Sequence, residues 1–139
     1  MRTEEILGLV KGLIETWKTN DPYEIAKIYG IKVMTRSLNL KSYKAQTIKM
    51  QQYPAIISIN GAYSPLSQKV LCAHELGHAL LHEEAVNHFD VTRQNMNTDV
   101  EYEANLFAVA LLIDESKLRI PLKKMSQIEL KAIMDYNIY

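Results

Sequence analysis

The chain of 139 residues contains only one cysteine, Cys72. A single thiol cannot form a disulfide within the chain, which excludes a small secreted scaffold stabilised by disulfides. No stretch reaches the roughly 18 consecutive apolar residues that are typical of a membrane-spanning helix. The N-terminal segment, MRTEEILGLVKGLIE, carries charges among its apolar residues and does not resemble a signal peptide. These absences predict a cytoplasmic protein that does not bind membranes.

The sequence also lacks an excess of charge of either sign, because 16 lysines and arginines balance 16 aspartates and glutamates. This balance argues against a broad basic surface, and therefore against direct binding of nucleic acid. Internal repeats and low-complexity segments are absent as well. With 47% hydrophobic and 23% charged residues, the composition is typical of a globular protein, and the length predicts a single domain over residues 1–139.

The most informative stretch is the segment VLCAHELGHALL, from Val70 to Leu81. Inside it, His74, Glu75 and His78 form the motif H-E-x-x-H. Two histidines four residues apart lie on one face of a helix, and each can offer one imidazole nitrogen to a zinc ion. Glu75 projects beside them, where its carboxylate can accept a proton from water at the metal. The spacing therefore predicts two metal ligands and a general base.

His82 lies one further turn along the same helix and shares the polar face with the motif residues. Three histidines along one straight helix cannot all reach one tetrahedral ion, so we expect His82 to contact a ligand side chain or to line the cleft. A surface helix with solvated histidines is the simpler alternative, but the remaining positions are too apolar for a surface helix. Cys72 lies on that apolar side, which predicts a packed core thiol.

A catalytic zinc site normally takes a third protein ligand, and the segment from Thr98 to Leu112, TDVEYEANLFAVALL, offers Glu101 and Glu103. Helical geometry separates the two glutamates by about 200°, so both cannot face the metal. Glu101 shares its face with Asn105 and with small residues that permit close helix approach, whereas Glu103 shares its side with Asp99. We therefore predict Glu101 as the ligand, Asn105 as a partner of a ligand side chain, and Glu103 at a solvated edge.

These two segments resemble the ImmA/IrrE family of zinc metallopeptidases, small gluzincin-type proteins that are often encoded beside the repressors of mobile elements. The resemblance lies in the run CAHELGHALLH, from Cys72 to His82, and in the pattern E-x-E-A-N-x-F-A-x-x-L-L, from Glu101 to Leu112. One departure is visible, because the family often continues with Met-Pro where this chain has Ile113 and Asp114. This departure concerns the C-terminal wall of the cleft and not the metal site.

At the matching positions, the resemblance implies that His74, His78 and Glu101 bind one Zn²⁺ per chain and that Glu75 is the general base. It also implies peptide hydrolysis, with a helix-turn-helix transcriptional repressor as the protein substrate and relief of repression as the outcome. Two alternatives stay open. One is a non-catalytic binding module that sequesters a repressor or toxin partner and uses zinc only for stability. The other is a structural zinc protein with a closed site.

Periodicity, capping residues and β-branched runs predict the remaining elements. Apolar residues at three- and four-residue steps indicate a first helix from Thr3 to Trp17. The other predictions are a short helix at Pro22–Gly30, strands at Ile31–Arg36 and Pro54–Ile59, a weaker strand at Tyr43–Met50, a motif helix that begins at Pro65, a loop at 87–97, a short helix or turn at Glu115–Ile120, and a last helix after Ser126 that buries Ile128, Ala132, Ile133 and Met134.

These elements predict an α+β fold, a small zincin-like domain in which a mostly antiparallel sheet of about three strands packs on the motif helix and other helices surround it. In zincins an edge strand beside the metal binds an extended substrate by backbone pairing, but the sequence does not reveal which strand that is. The group that stabilises the oxyanion is also open. Candidates are His88, which is more simply a surface loop histidine, and Tyr63, Tyr102, Tyr136 and Tyr139.

Overall fold

The computed structural model describes residues 3–82 and 98–138. Five α-helices and three β-strands follow one another in these two ranges. In chain order they are α1 (Thr3–Trp17), α2 (Pro22–Ile28), β1 (Lys32–Arg36), β2 (Ala45–Ile48), β3 (Ile56–Asn60), α3 (Pro65–Leu81), α4 (Thr98–Leu112) and α5 (Gln127–Tyr136). Two short 3₁₀ turns, Glu115–Lys117 and Leu122–Lys124, lie between α4 and α5. The predicted α+β class is confirmed.

Side-chain hydrogen bonds define where three of the helices begin. Asp21 and Ser64 each accept a hydrogen bond from a backbone N–H of the first turn, at α2 and α3 respectively, and a proline follows each of them. Ser126 and Glu129 form a reciprocal capping box at the start of α5. These bonds satisfy backbone groups that the helix itself leaves unpaired. The capping residues therefore predicted these three boundaries correctly.

The helices of the described residues are short. α3 has 17 residues, and α1 and α4 have 15 each. α1 buries Ile6, Val10 and Leu13, in agreement with the predicted apolar repeat. Within the two described ranges, no helix is both long and apolar enough to cross a membrane.

The three strands form a mixed sheet in the order β1-β3-β2. β3 is parallel to β1, with Ile57 opposite Val33, and antiparallel to β2, with Ile57 opposite Thr47. The sheet is thus parallel in one of its two strand pairs, which differs from the expected, mostly antiparallel arrangement. The chain reverses direction before β2 and again before β3, so β1 and β3 run the same way, and they become neighbours because β3 inserts between the other two.

Helix α3 lies in the core, where it contacts β2, β3 and α4. α3 and α4 approach each other closely at Gly77, where a β-carbon would lie 3.1 Å from Phe107 Cβ and 3.2 Å from Ala104 Cα. The missing side chain of Gly77 therefore lets the two helices pack in direct contact. α4 also packs against α1 and α5. The two segments that carry the predicted metal ligands are thus held against each other by the core.

The C-terminal helix α5 buries two of the four residues predicted to pack on the core, Ile133 and Met134, and not the other two. Leu130 and Met134, one turn apart, are buried, and Ile133 is partly buried. Ile128 is 80% exposed, and Ala132 is exposed as well. The predicted burial of Ile128 and Ala132 is therefore wrong. Apolar residues lie on more than one side of this short helix, so its rotation was decided by packing and not by its own pattern.

Cys72 is fully buried in the core, as its position on the apolar side of α3 predicts. Burial raises the pKa of the Cys72 thiol to about 12. The thiol is therefore protonated at neutral pH, and a protonated thiol is a poor nucleophile and a poor metal ligand.

Candidate metal centre

Helix α3 places the two motif histidines one turn apart, as their four-residue spacing predicts. His74 Nε2 and His78 Nε2 are 3.2 Å apart, and the two ring planes meet at 85°. His78 is fully buried, whereas His74 is partly exposed. One nitrogen of each ring therefore lies on the same side of α3.

Helix α4 brings a carboxylate to this pair. Glu101 Oε2 lies 2.8 Å from His78 Nε2 and 3.2 Å from His74 Nε2. Among the residues that the structure describes, His74, His78 and Glu101 form a group whose ligand atoms all lie within 4.8 Å of one another and could hold a metal ion. We call these three residues the triad. The structure thus brings together the residues named as ligands from the sequence.

The spacing of the triad suits a tetrahedral metal site. Bonds of roughly 2.0–2.1 Å to a tetrahedral zinc ion place two ligand atoms about 3.3 Å apart, and the separations in the triad are 3.2, 3.2 and 2.8 Å. Two imidazoles and one carboxylate are also a ligand set of catalytic zinc sites, which leave the fourth position for water or substrate. The donor atoms therefore fit one zinc ion.

The electrostatics of the triad favour a bound cation. Burial raises the pKa of Glu101, but the hydrogen bonds and charges of His74 and His78 outweigh burial and hold this pKa well below its ordinary range. For His74, burial lowers the pKa, while the hydrogen bond to Glu101 and the charges of Glu75 and Glu101 raise it above its ordinary value overall. Two carboxylates thus create a negative potential at the imidazoles, and a cation at this position would neutralise it.

Glu75 lies beside the triad and is only 2% exposed. Its Oε1 accepts a hydrogen bond of 2.7 Å from the Thr47 hydroxyl, whose oxygen is also 3.0 Å from the Glu75 carbonyl oxygen. Its Oε2 is 3.9 Å from His74 Nε2. One carboxylate oxygen is therefore held by β2, while the other lies near the ligand nitrogens, which is an orientation that suits a general base.

Thr47, which contacts Glu75, is not indicated by any pattern in the sequence. It is fully buried on β2, and 28 residues separate it from Glu75. The strand around it is a weak prediction over Tyr43–Met50, and it spans only Ala45–Ile48 in the structure. Strand alternation places Thr47 and Ala45 on one face, but the sequence does not indicate which element that face contacts.

Asn105 is buried at the cleft and lies near His74. Its Nδ2 donates a hydrogen bond of 3.5 Å to Gln127 Oε1. His74 Nδ1 is buried, and no polar atom within residues 3–82 and 98–138 lies in hydrogen-bonding geometry to it, although the proximity of Asn105 contributes to the raised pKa of His74. The role of Asn105 as the partner of a ligand side chain therefore stays a prediction.

The structure places His82 against the side of His78 that faces away from the triad. The Nδ1 atoms of His78 and His82 are 3.1 Å apart, and His82 Nε2 is 2.9 Å from Glu103 Oε1. His82 thus contacts a triad side chain and does not belong to the triad. The predicted solvated edge at Glu103 is wrong, because its side chain is only 13% exposed. α4 directs Glu103 toward the end of α3 and not toward solvent.

A cleft of about 200 Å³ opens beside the triad. It is lined by residues from four elements and the segments next to them: Lys44, Ala45, Leu71, His74, Glu75, Glu101, Asn105, Gln127, Lys131, Met134, Asp135 and Ile138. β2 is an edge strand of the sheet, and its N-terminal end forms one wall of this cleft. The edge strand that adjoins the cleft is therefore β2.

The candidates for oxyanion stabilisation are not found in the described part of this cleft. Tyr63, Tyr102 and Tyr136 do not line it. The hydroxyl of Tyr102 donates to the Met125 carbonyl oxygen at 3.4 Å, and Tyr136 is 86% exposed. The two other candidates, His88 and Tyr139, lie outside the described residues, as does the predicted loop at 87–97.

Residues 26–136 match the sequence profile of the IrrE N-terminal-like domain, which represents a peptidase family. The chain belongs to the ImmA/IrrE family. The family inferred from the two motifs is therefore confirmed, and both motifs lie within the matched residues. Because this is a family of metallopeptidases, it agrees with the metal-binding geometry of the triad.

Two known proteins are similar over most of this chain. Uncharacterized immunity region protein 2 of Bacillus phage phi105 is 37% identical over 114 residues, which are 79% of this chain and 69% of that protein. Metallopeptidase ImmA of Bacillus subtilis (strain 168) is 32% identical over 112 residues, which are 78% of this chain and 63% of ImmA. The chain thus spans less than two thirds of ImmA. No solved structure is significantly similar to the chain.

Proposed function

We propose that this member of the ImmA/IrrE family is a zinc-dependent, site-specific endopeptidase. In this proposal His74, His78 and Glu101 hold one Zn²⁺, and Glu75 is the general base. The observation that carries the proposal is the position of the three ligand atoms, which lie within 3.2 Å of one another. The nearby Glu75 Oε2, 3.9 Å from His74 Nε2, adds the base that peptide hydrolysis requires.

When bound, zinc supplies a Lewis acid that polarises the substrate carbonyl and makes water more acidic. Glu75 accepts the proton of the attacking water and returns it to the leaving amine, because its Oε2 lies on the side of the triad. Thr47 holds the other carboxylate oxygen by a hydrogen bond, so the carboxylate does not have to find its orientation during the reaction. Burial of His78 excludes water from one side of the site.

Substrate binding in this proposal uses the edge of β2. An extended peptide can add to an edge strand by main-chain hydrogen bonds, and the cleft wall formed by Lys44 and Ala45 adjoins this strand. A peptide along β2 would cross the cleft beside His74 and Glu75, which line it as well. The opening of the cleft beside the triad supports a catalytic site over a closed structural zinc site.

We further propose that the substrate is a repressor protein with a helix-turn-helix domain, and that its cleavage relieves repression. The support for this part is the motif resemblance, which implies such substrates, and the phage relative, which is named as an immunity region protein. The balanced charge of 16 basic and 16 acidic residues agrees with a role in which the protein recognises the repressor and not the DNA.

Glu75→Gln tests the proposal. We expect the purified parent to contain one zinc per chain and to cut a candidate repressor, beginning with one encoded beside this chain, at a single site. Glu75→Gln should keep the zinc, because Glu75 is not in the triad. It should lose cleavage by at least about 100-fold, because an amide cannot accept the proton. Zinc content by elemental analysis and product mass by mass spectrometry measure the two effects.

Glu15→Gln is the matched control, because Glu15 is exposed on α1 and should behave as the parent does. Undiminished cleavage by Glu75→Gln would contradict the assignment of the base. Repressor release without cleavage, equal in the parent and in Glu75→Gln, would favour the alternative of a binding module that sequesters its partner. A parent that binds no divalent metal in excess zinc would overturn the metallopeptidase proposal itself.

A further inference from the structure

A line of three polar side chains starts at His78 of the triad and leads away from the cleft. His78 Nδ1 is 3.1 Å from His82 Nδ1, and His82 Nε2 is 2.9 Å from Glu103 Oε1. The side chain of His78 is fully buried, that of His82 is 9% exposed and that of Glu103 is 13% exposed. The line therefore begins at a predicted metal ligand, runs through the end of α3, and ends at a carboxylate on α4.

We propose that Glu103 and His82 form a relay of hydrogen bonds that selects the tautomer of His78 and orients its Nε2 toward the metal position. In this role Glu103 and His82 are positioning residues and do not touch the substrate. The inference rests on the proposed function, because the tautomer of His78 matters for activity only if His78 binds the metal.

The direction of the relay follows from the proton count of each group. An ionised carboxylate can only accept hydrogen bonds, so His82 Nε2 must carry the proton of the bond to Glu103. A neutral His82 then has no proton on Nδ1, which can only accept. With a metal in place of the proton between His78 Nε2 and Glu101 Oε2, a neutral His78 carries its remaining proton on Nδ1 and donates it to His82. This leaves His78 Nε2 without a proton, which is the form that binds a metal.

The opposite direction would disable the site. If His82 Nδ1 donated to His78 Nδ1, a neutral His78 would carry its proton on Nε2, the atom that lies 2.8 Å from Glu101 Oε2 and 3.2 Å from His74 Nε2. That proton would occupy the direction in which the metal binds. The carboxylate of Glu103 disfavours this arrangement. His82 Nε2 can donate to Glu103 only if the proton of a neutral His82 lies on Nε2, which leaves none on Nδ1.

The two histidines of the triad differ in whether a neighbouring side chain contacts their Nδ1 atom. His74 Nδ1 is buried and has no hydrogen-bonding partner in the described part of the chain, whereas His78 Nδ1 contacts His82. An outer hydrogen bond fixes the ring orientation of a ligand histidine and increases its basicity. We therefore expect the relay to act through His78.

Nuclear magnetic resonance of the imidazole nitrogens tests the direction of the relay. In the zinc-loaded full chain labelled with ¹⁵N, His78 should carry its proton on Nδ1 and His82 on Nε2. In Glu103→Leu, His82 should lose its preference for the Nε2–H tautomer. A zinc-loaded parent in which His82 carries its proton on Nδ1 would overturn the relay.

Zinc affinity, measured by competition with a chelator, tests the consequence. Loss of an outer partner of a ligand histidine typically weakens metal binding by about 10- to 100-fold, and we expect this loss for Glu103→Leu and for His82→Phe. Glu103→Gln should recover most of the lost affinity, because its amide oxygen can still accept from His82 Nε2–H. Asp99→Asn, an exposed acidic position one turn earlier on α4, is the matched control and should bind zinc as the parent does.

The results separate the relay from the proposed function. If the parent binds one zinc and Glu103→Leu binds it equally tightly with an unchanged His82 tautomer, the relay is wrong and the metallopeptidase proposal stands. If the parent binds no zinc, both are wrong. Weaker binding by Glu103→Leu and Glu103→Gln to the same extent would also contradict the relay, because it would show that only the negative charge of Glu103 matters.

Discussion

The buried carboxylate of Glu75 depends on one hydroxyl from a neighbouring strand. Thr47 Oγ1 donates to Glu75 Oε1 at 2.7 Å, and neither side chain has appreciable access to solvent. A buried carboxylate oxygen without a hydrogen bond costs about 1–3 kcal/mol, because water can no longer solvate it. At the scale of the residue, Thr47 therefore stabilises the fold and orients the carboxylate of Glu75, the base in our proposal.

Thr47→Val removes this hydroxyl while it keeps the shape of the side chain. We expect the free energy of unfolding to fall by about 1–3 kcal/mol, because Glu75 Oε1 loses its donor. Cleavage of the repressor should slow by about 10- to 100-fold, because the base is no longer held in one orientation. Zinc content should stay at one per chain, since Thr47 is not in the triad. Urea unfolding, single-turnover cleavage and elemental analysis measure these three quantities.

Thr35→Val is the matched control for this exchange, because Thr35 is an exposed threonine on β1. It should leave both stability and cleavage near the values of the parent. Parental cleavage by Thr47→Val would show that the base does not need this hydrogen bond.

Two further contacts hold the elements of the site together. At Gly77, α3 and α4 touch through their backbones. At the end of α3, Lys49 Nζ donates to the carbonyl oxygens of Ala79 and His82, at 3.1 and 2.6 Å. A lysine at a helix C-terminus satisfies free carbonyl groups and interacts favourably with the helix dipole. At the scale of the element, the segment after β2 thus holds the end of α3, and the glycine sets how closely α4 approaches.

Gly77→Ala should weaken both the fold and the metal site. A β-carbon there would meet Ala104 Cα at 3.2 Å, and backbone atoms cannot move aside as a flexible side chain can. We expect a loss of about 1–3 kcal/mol in the free energy of unfolding, which exceeds the gain in helix propensity from alanine. Zinc affinity should fall too, because Glu101 lies on the helix that is displaced. Urea unfolding and chelator competition measure the two losses.

Gly12→Ala, on α1, is the matched control, and we expect it to have the opposite effect on stability. A β-carbon at Gly12 meets no atom within 4 Å, so alanine should raise the free energy of unfolding by up to about 1 kcal/mol through helix propensity alone. If Gly77→Ala stabilised the protein as Gly12→Ala does, the close approach of α3 and α4 would not constrain the fold.

At the scale of the whole molecule, the triad connects two helices that are distant in sequence. His74 and His78 lie on α3, and Glu101 follows 23 residues after His78 on α4. A metal at the triad would therefore bind the folded chain more tightly than the unfolded one, and this difference would stabilise the fold. The single domain predicted over residues 1–139 stays a prediction, and the family match covers residues 26–136 of it.

Removal of zinc should lower the melting temperature of the whole protein. At a free zinc concentration of about 100 times the dissociation constant, binding adds about 2.7 kcal/mol to the free energy of unfolding. For a chain of this size, we expect this difference to shift the melting temperature by roughly 10 °C. Thermal unfolding followed by circular dichroism, with zinc and with a chelator, measures the shift.

Glu101→Ala is the control, because it removes one of the three ligand atoms and should melt at a temperature that depends little on zinc. A parent whose melting temperature is the same with zinc and with chelator would contradict the metal centre.

The sequence by itself determined the local features of this protein. The four-residue spacing of His74 and His78, the capping residues at Ser64 and Ser126, and the apolar repeat of α1 each act within one or two helical turns. Helical geometry relates such positions directly, whatever the rest of the chain does. The extent of α1, the starts of α3 and α5, and the family could therefore be predicted, and the structure and the comparisons confirm them.

The tertiary structure alone decided what depends on packing between elements. The insertion of β3 between β1 and β2, the buried face of α5, the contact of Thr47 with Glu75 and the contact of Glu103 with His82 each depend on how one element is rotated against another. A periodic pattern defines the face that an element presents, but not its partner across the core. The sequence thus predicted Glu101 beside the histidines and His82 beside a ligand side chain, but it missed Thr47 beside Glu75 and Glu103 beside His82.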